Sequence, residues 1–405
     1  MKLSISELGI IYICLWVISP PLQFGLQYRI LAVIFFAILL FDVILNANAG
    51  TITLTKYGLA ILLYFTLVSI IIEFLSPDRT PFIWWIQNYI FFAFYFIMVK
   101  MKKSNSLMPR FIILKTILIA QLIWIFRSIQ GLTTDTTIAR VLTRSNEQAE
   151  ELSQLGYGGY GLVYSSLLTL PLFVGYVKKN KRRILNAIVQ YRFLSVDLLI
   201  AINLLLTIVL VFKAGYMLAV VALLLFFILN FVFRGSIITR IVKASLFIGM
   251  ILLINSRNIL NSLGSIVTEL NPNYGRKLND ILAYSKEGYL ENNTLFHRVE
   301  RYSRSINVFI ENPFLGALSR DDLGKHSAIL DAFAHYGLPL GLVYFFCVSF
   351  FLVREILPSK IFLNKWVFLL FLLFIFTTNN IVGTQGVVLF IIYPLLINYD
   401  SYAET

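Results

Sequence analysis

Arg298, Arg301, Arg304 and His326 follow one another in a polar stretch of an otherwise apolar chain. Guanidinium groups bind anionic oxygens through charge-assisted, often bidentate hydrogen bonds, and in a water-poor pocket they stabilise charge on a leaving group. Imidazole is the side chain best suited to moving a proton near neutral pH. No HExxH, clustered Asp/Glu or Cys/His set accompanies these residues, so no metal and no other cofactor is expected. Both cysteines, Cys14 and Cys347, fall inside apolar runs, which gives no disulfide framework.

Helices must position these groups. The stretch FHRVERYSRSINVFIENPF, from Phe296 to Phe314, reads as a helix that ends before Pro313. Val299, Tyr302, Ile306, Phe309 and Ile310 share one stripe at helical spacing. Arg298 sits at the edge of that stripe, while Arg301 and Arg304 point progressively away. Arg298 is therefore the arginine expected to be held against the protein body. After Pro313 and Gly316 a polar turn leads into KHSAILDAFAHYGLPLG. There His326, Leu330 and Phe333 recur at helical spacing, so His326 is expected to open a helix that continues into a span.

The frame around this stretch is a membrane. Of 405 residues, 58% are hydrophobic, 15% aromatic and only 14% charged, with a mean hydropathy of +0.80. A soluble domain of this length could not cover its surface with so little polar material. Apolar runs long enough to cross about 30 Å of hydrocarbon recur from end to end, and without dyad alternation they must be helices. The fold class expected is an all-α polytopic membrane protein of about twelve spans. They are placed near 7–22, 30–46, 57–75, 82–99, 110–128, 158–177, 194–212, 215–233, 241–255, 336–353, 366–381 and 384–398. The first run lacks a small-residue cleavage pattern and is read as a retained span.

Basic connectors orient these spans. Lys100, Lys102, Lys103 and Arg110 share one, and Lys178, Lys179, Lys181, Arg182, Arg183 and Arg192 share another. Arg234, Arg240 and Lys243, then Arg354, Lys360 and Lys365, fill two more. With twelve spans all of these fall on one side with both termini, and the positive-inside rule makes that side cytoplasm. The net charge of +13 thus belongs to cytoplasmic loops and not to a nucleic-acid surface. The chain divides into residues 1–128 (first spans), 129–157 (an outer loop), 158–255 (middle spans), 256–335 (a large outer loop carrying the arginines and His326) and 336–405 (last spans). Asp42, Glu73 and Asp197 lie near span ends, where snorkelling accounts for them, and Lys115, one turn inside a span, is read as structural. His297 and His335 are also read as structural. Trp84 and Trp85, within Phe82–Phe96, read as an interfacial aromatic belt, with a wall for a polyprenyl tail as the second reading.

One ordered pattern runs through the large loop: an Arg, an aromatic four residues on, a Pro fifteen on and a Gly eighteen on, then His-Ser-x-x-Leu and a Gly eleven after the His. These are Arg298, Tyr302, Pro313, Gly316, His326, Ser327, Leu330 and Gly337. The pattern resembles the core of the O-antigen ligase and polymerase superfamily, and the span count and long outer loop extend the likeness. In VFKAGYMLAV, Lys213 stands where such proteins carry an arginine opening a middle span. Arg140 and Gly156 resemble an Arg-x15-Gly element of some polymerases.

The resemblance implies an inner-membrane glycosyltransferase acting on oligosaccharide carried by undecaprenyl diphosphate at the periplasmic face. His326 and Arg298 would be catalytic, with Lys213, Arg140, Arg301 and Tyr302 contacting substrate. Transfer would be metal-independent and would invert the anomeric centre. The partners implied are the lipid-linked oligosaccharide, membrane lipid and a chain-length regulator protein, with no nucleic acid. Repeat-unit polymerase is the leading reading, ligation of polymer to lipid A–core shares its donor chemistry, and a lipid-linked oligosaccharide flippase is the alternative of another class.

Overall fold

The structure is a computed structural model. It describes residues 4–23, 25–46, 107–142, 147–236, 294–317, 323–324, 326–351, 356–379 and 383–402, with isolated positions at 56–70, 96–100, 239–245 and 275. Among the described residues every regular element is helical. In chain order these are α1 (Ile5–Ile18), a 3-10 turn (Pro20–Gln23), α2 (Leu26–Leu45), α3 (Leu107–Thr134), α4 (Ile138–Val141), α5 (Glu147–Gln154), α6 (Tyr160–Lys179), α7 (Lys181–Val189) and α8 (Val196–Ala214). They continue with α9 (Met217–Val232), α10 (Thr294–Glu311), α11 (Ala328–Phe351), α12 (Lys365–Thr378), α13 (Gly383–Val387), a π-helical segment (Val388–Ile392) and α14 (Tyr393–Tyr402).

Four helices among the described residues are long and apolar enough to cross a membrane: Leu26–Leu45, Pro109–Thr134, Tyr160–Lys179 and Val196–Ala214. Shorter apolar helices occupy Ile5–Ile18, Met217–Val232, Ala328–Val343 and Lys365–Thr378. The all-helical, membrane-protein class expected from composition is what the described residues form. The expected spans at 57–75, 82–99 and 241–255 lie largely outside them, as do Trp84 and Trp85. Exposed apolar residues on α2 explain how such a chain tolerates so much hydrophobic surface. Val33, Phe41 and Leu45 are 63%, 64% and 78% exposed, as expected of a helix facing hydrocarbon.

The chain forms two compact units. The first comprises Met1–Leu210, Tyr344–Phe362 and Ile381–Thr405, and the second Val211–Val343 and Leu363–Asn380.

In the first unit, α1 starts with a capping box in which Ser4 and Glu7 each satisfy an orphan amide, and it packs on α2. At the centre is α6, buried on most of its circumference from Leu162 to Tyr176 despite Pro171 in its interior. The C-terminal segments pack on it: Thr384 donates to the Gly161 carbonyl at 3.1 Å and Tyr393 to the Leu168 carbonyl at 2.5 Å. The second bond lies one turn from Pro171, where the helix lacks one of its own amides.

In the second unit α9 packs against α12, with Phe226 and Phe371 edge to face at 5.5 Å. Asn364 caps α12 by accepting from the Trp366 and Val367 amides. Against this pair stand α10 and the first half of α11, the elements that carry the arginines and His326.

Candidate active site

The helix expected from Phe296 to Pro313 is present as α10, which ends at Glu311 one residue into the turn before the proline. Its inward face differs from the apolar stripe read from sequence. Val299, Ile306 and Ile310 are exposed, while Ser305 is the buried residue of the helix. Arg298, Tyr302, Ser305 and Phe309, spaced at helical intervals around Ser305, form the face turned to the protein. Phe309 meets Phe333 of α11 edge to face at 6.0 Å. Tyr302 donates its hydroxyl to the Thr378 carbonyl at 3.0 Å, satisfying an orphan acceptor at the C-terminal end of α12.

The entry to α11 is set by polar contacts that periodicity does not reveal. The helix begins at Ala328, so His326 precedes it and does not open it. Ser327 is the capping residue: its hydroxyl accepts from the Leu330 amide at 3.1 Å, and the Asp331 carboxylate accepts from the Ser327 amide at 3.0 Å. The other Asp331 oxygen accepts from the Ser305 hydroxyl at 2.6 Å, and Ser305 in turn accepts from the Gly324 amide at 2.9 Å. Asp331 thus binds α10, α11 and the strand of chain between them, and His326 is suspended within that frame. Ser305 and Asp331 were not singled out from sequence. The available signal was a Ser followed by an Asp four residues later at a helix start, and a serine at the edge of the apolar stripe next to Tyr302 and Phe309.

The motif glycines close the frame from the other side. Gly316 and Gly337 both have left-handed backbones, with φ of 73° and 68°. Their chains cross so closely that a Cβ on Gly316 would lie 2.2 Å from the His335 carbonyl oxygen, and one on Gly337 would lie 2.3 Å from that of Phe314. Backbone bonds stitch the crossing: Leu338 donates to the Pro313 carbonyl at 2.7 Å and Ala317 to that of Ala334 at 2.9 Å. Gly337 breaks α11 into two helices, and the Leu338 amide freed at the break is taken up by the Pro313 carbonyl.

This framework brings Arg301 to His326, where a guanidinium NH2 group meets the imidazole Nε2. Arginine can only donate, so Nε2 is the acceptor and the neutral ring carries its proton on Nδ1. Arg301 is exposed, on the side of α10 turned away from the protein body as its helical position implies, and His326 meets it there. Desolvation, with the positive fields of Arg301 and Arg298, pushes the His326 pKa down to about 4. Arg298 is partly buried on the same helix, and among the described residues it has no ion-pair partner. Arg304 is exposed and pairs along its own helix with Glu300 at 3.5 Å. His297 also lies beside Glu300, at 3.6 Å.

The remaining candidates fall elsewhere. Lys213 is exposed in the last turn of α8. Arg140 lies on α4 in the first unit, and Gly156 follows α5, where its amide bonds the Ser153 carbonyl at 2.9 Å as a helix-ending residue. Asp197 is not a snorkelling residue. It is buried in the first unit, accepts from Tyr176, and pairs with Arg183 at 3.1 Å. Asp42 pairs with Lys100 in the same unit.

What the arrangement can do follows from its charge. Among the described residues, two guanidinium groups flank a neutral imidazole with no carboxylate paired to them, and Asp331 is engaged by Ser305 and Ser327. A site of this kind attracts an oxyanion and holds beside it a ring able to accept a proton. No family model, curated protein or solved structure matches this chain.

Proposed function

We propose that the chain is a polymerase that lengthens a glycan carried on undecaprenyl diphosphate. What supports this reading is Arg298 and Arg301 beside His326, without an ion-pair partner among the described residues and built from the residues whose order resembles the ligase and polymerase superfamily. The two arginines hold the donor diphosphate. The acceptor sugar's hydroxyl oxygen attacks the donor's anomeric carbon from the side opposite the diphosphate. The bond from that carbon to the diphosphate oxygen breaks, its electron pair stays on the oxygen, and the anomeric centre inverts. The hydroxyl proton passes to Nε2 of His326. Because the leaving group is already a good anion, positive charge matters more to it than a general acid.

In the same reading Lys213 and Arg140 contact the substrate, and Tyr302 keeps α10 in place through α12. The chain has about twelve spans with both termini in the cytoplasm of a bacterial inner membrane, and residues 129–157 and 256–335 face the periplasm. Cysteine labelling checks this topology. Residues 140 and 320 should react with an impermeant reagent from outside and residues 178–192 should not.

Activity is tested by incubating the purified protein with undecaprenyl-diphosphate repeat units alone. A ladder of longer lipid-linked products is expected. Products that form only when lipid A–core is added would make the protein a ligase, and movement of the lipid without bond transfer would make it a flippase.

A further inference from the structure

The amphipathic helix α7 (Lys181–Val189) is not used by the proposed chemistry, and its two sides have unlike environments. Ile184 and Ala187 are buried. Arg183, on the same side, bonds the Tyr399 hydroxyl at 3.0 Å and pairs with Asp197. Asn180, at the bend before the helix, donates to Asp400 at 2.8 Å. These contacts fix α7 to the first unit by one face. The other face carries Leu185, Ile188 and Val189, which are 59%, 48% and 74% exposed, and the chain beyond it exposes Tyr191 and Phe193.

Two observations identify what covers that face. First, α7 sits between two membrane-length helices, with α6 ending at Lys179 and α8 starting at Val196, so the connector holding it lies at a membrane boundary. Second, Lys181 and Arg182 occupy its first turn, where the positive end of the helix dipole disfavours cations. Arg183 is compensated by Asp197, but among the described residues Lys181 and Arg182 have no acidic partner. An external anionic layer would account for their position. Basic residues flanking exposed aliphatic ones on a short helix are the composition of a segment lying in the lipid headgroup region.

We propose that α7 lies in the membrane interface and binds anionic phospholipid, with Leu185, Ile188 and Val189 inserted among the acyl chains and Lys181 and Arg182 on the headgroup phosphates. This goes beyond the glycan chemistry and does not depend on it. The test uses the full chain in nanodiscs, with Cys14 and Cys347 replaced by alanine and a fluorophore on Val189→Cys. Lipids brominated near the headgroup should quench it more than lipids brominated at the chain ends. Native mass spectrometry against mixed phosphatidylglycerol and phosphatidylcholine should show preferential retention of the anionic lipid. Lys181→Gln and Arg182→Gln should each lower that preference about fivefold, as expected for one basic residue at a charged surface. Absence of bromolipid quenching, crosslinking of residue 189 to a second copy, or an unchanged lipid preference in both variants would overturn the assignment.

Discussion

Two charged clusters, one in each unit, look alike in composition and differ in balance. In the first unit Arg183 faces Asp197, Lys179 pairs with Asp400 at 2.7 Å, and Tyr176, Tyr399 and Asn180 complete the hydrogen bonds of the two carboxylates. Each of these cations has its anion within the protein. In the second unit Arg298 and Arg301 stand beside a half-buried histidine, and among the described residues no carboxylate pairs with them, Asp331 being occupied by Ser305 and Ser327. A closed network of matched charges fixes helices to one another, whereas unmatched cations beside a neutral base leave room for an anionic ligand. Perturbed titration occurs in both kinds of cluster, so charge balance is the better discriminator.

Substitutions sharpen this contrast. The largest expected effect is at His326. His326→Ala should lower transfer by about 10²–10⁴-fold, the range for a positioned acid or base, while binding of the lipid-linked donor stays nearly intact. Near-normal turnover in a well-expressed variant would remove the imidazole from the chemistry. Next, Arg298→Ala and Arg301→Ala should each cost about 10²–10³-fold in turnover, as when one preorganised oxyanion contact is lost. Arg304→Ala, whose charge is spent on Glu300, should stay within a few-fold of wild type. Equal losses at all three positions would mean that bulk charge is being measured.

Asp197→Ala should do the reverse of these changes. It strands Arg183 and Tyr176 and should cost roughly 1.5–3 kcal/mol of stability, read as a lower thermal midpoint in detergent. The specific activity of the protein that remains folded should not change. A loss of turnover without a loss of stability would place this cluster in the chemistry and erase the contrast.

The smallest effect is a shift along the pH axis. In the proposed chemistry transfer needs neutral His326, so the rate should fall as pH drops through its folded pKa of about 4. Removing a neighbouring cation with Arg301→Gln relieves the positive field, raises that pKa, and moves the acid limb of kcat/KM to higher pH. An acid limb that stays in place would mean that the histidine does not feel Arg301 in solution.

Much of this arrangement could be read from residues alone. Pro313 and helical spacing gave α10, because a proline ends a helix through its own covalent geometry. Composition gave the membrane. The inward face of α10 was not legible, because the usual rule turns apolar residues inward. Here Ser305 is buried by its bonds to Asp331 and Gly324 while Ile306 and Ile310 are exposed. The encounter of Arg301 with His326 was not legible either, because it rests on contacts between residues far apart in the chain, such as the Gly316–Gly337 crossing and the Ser305–Gly324 bond. Nor is α7 separable from its connector in the residues alone: its basic residues satisfy the orientation rule by themselves, and its exposed aliphatic face shows only in the packing.

The contact between Arg301 and His326 also carries a statement about sequence in time. Nε2 cannot accept a proton from a sugar while it accepts a hydrogen bond from the guanidinium. A diphosphate is a stronger partner for Arg301 than a neutral ring is, so arrival of the donor should draw the arginine away and uncover the nitrogen. In the proposed reaction the resting site would then be latched, and the acceptor would be engaged only after the donor is in place. Pyrophosphate alone should therefore quicken the reaction of His326 with diethylpyrocarbonate, and unchanged reactivity would argue that the two substrates enter in either order.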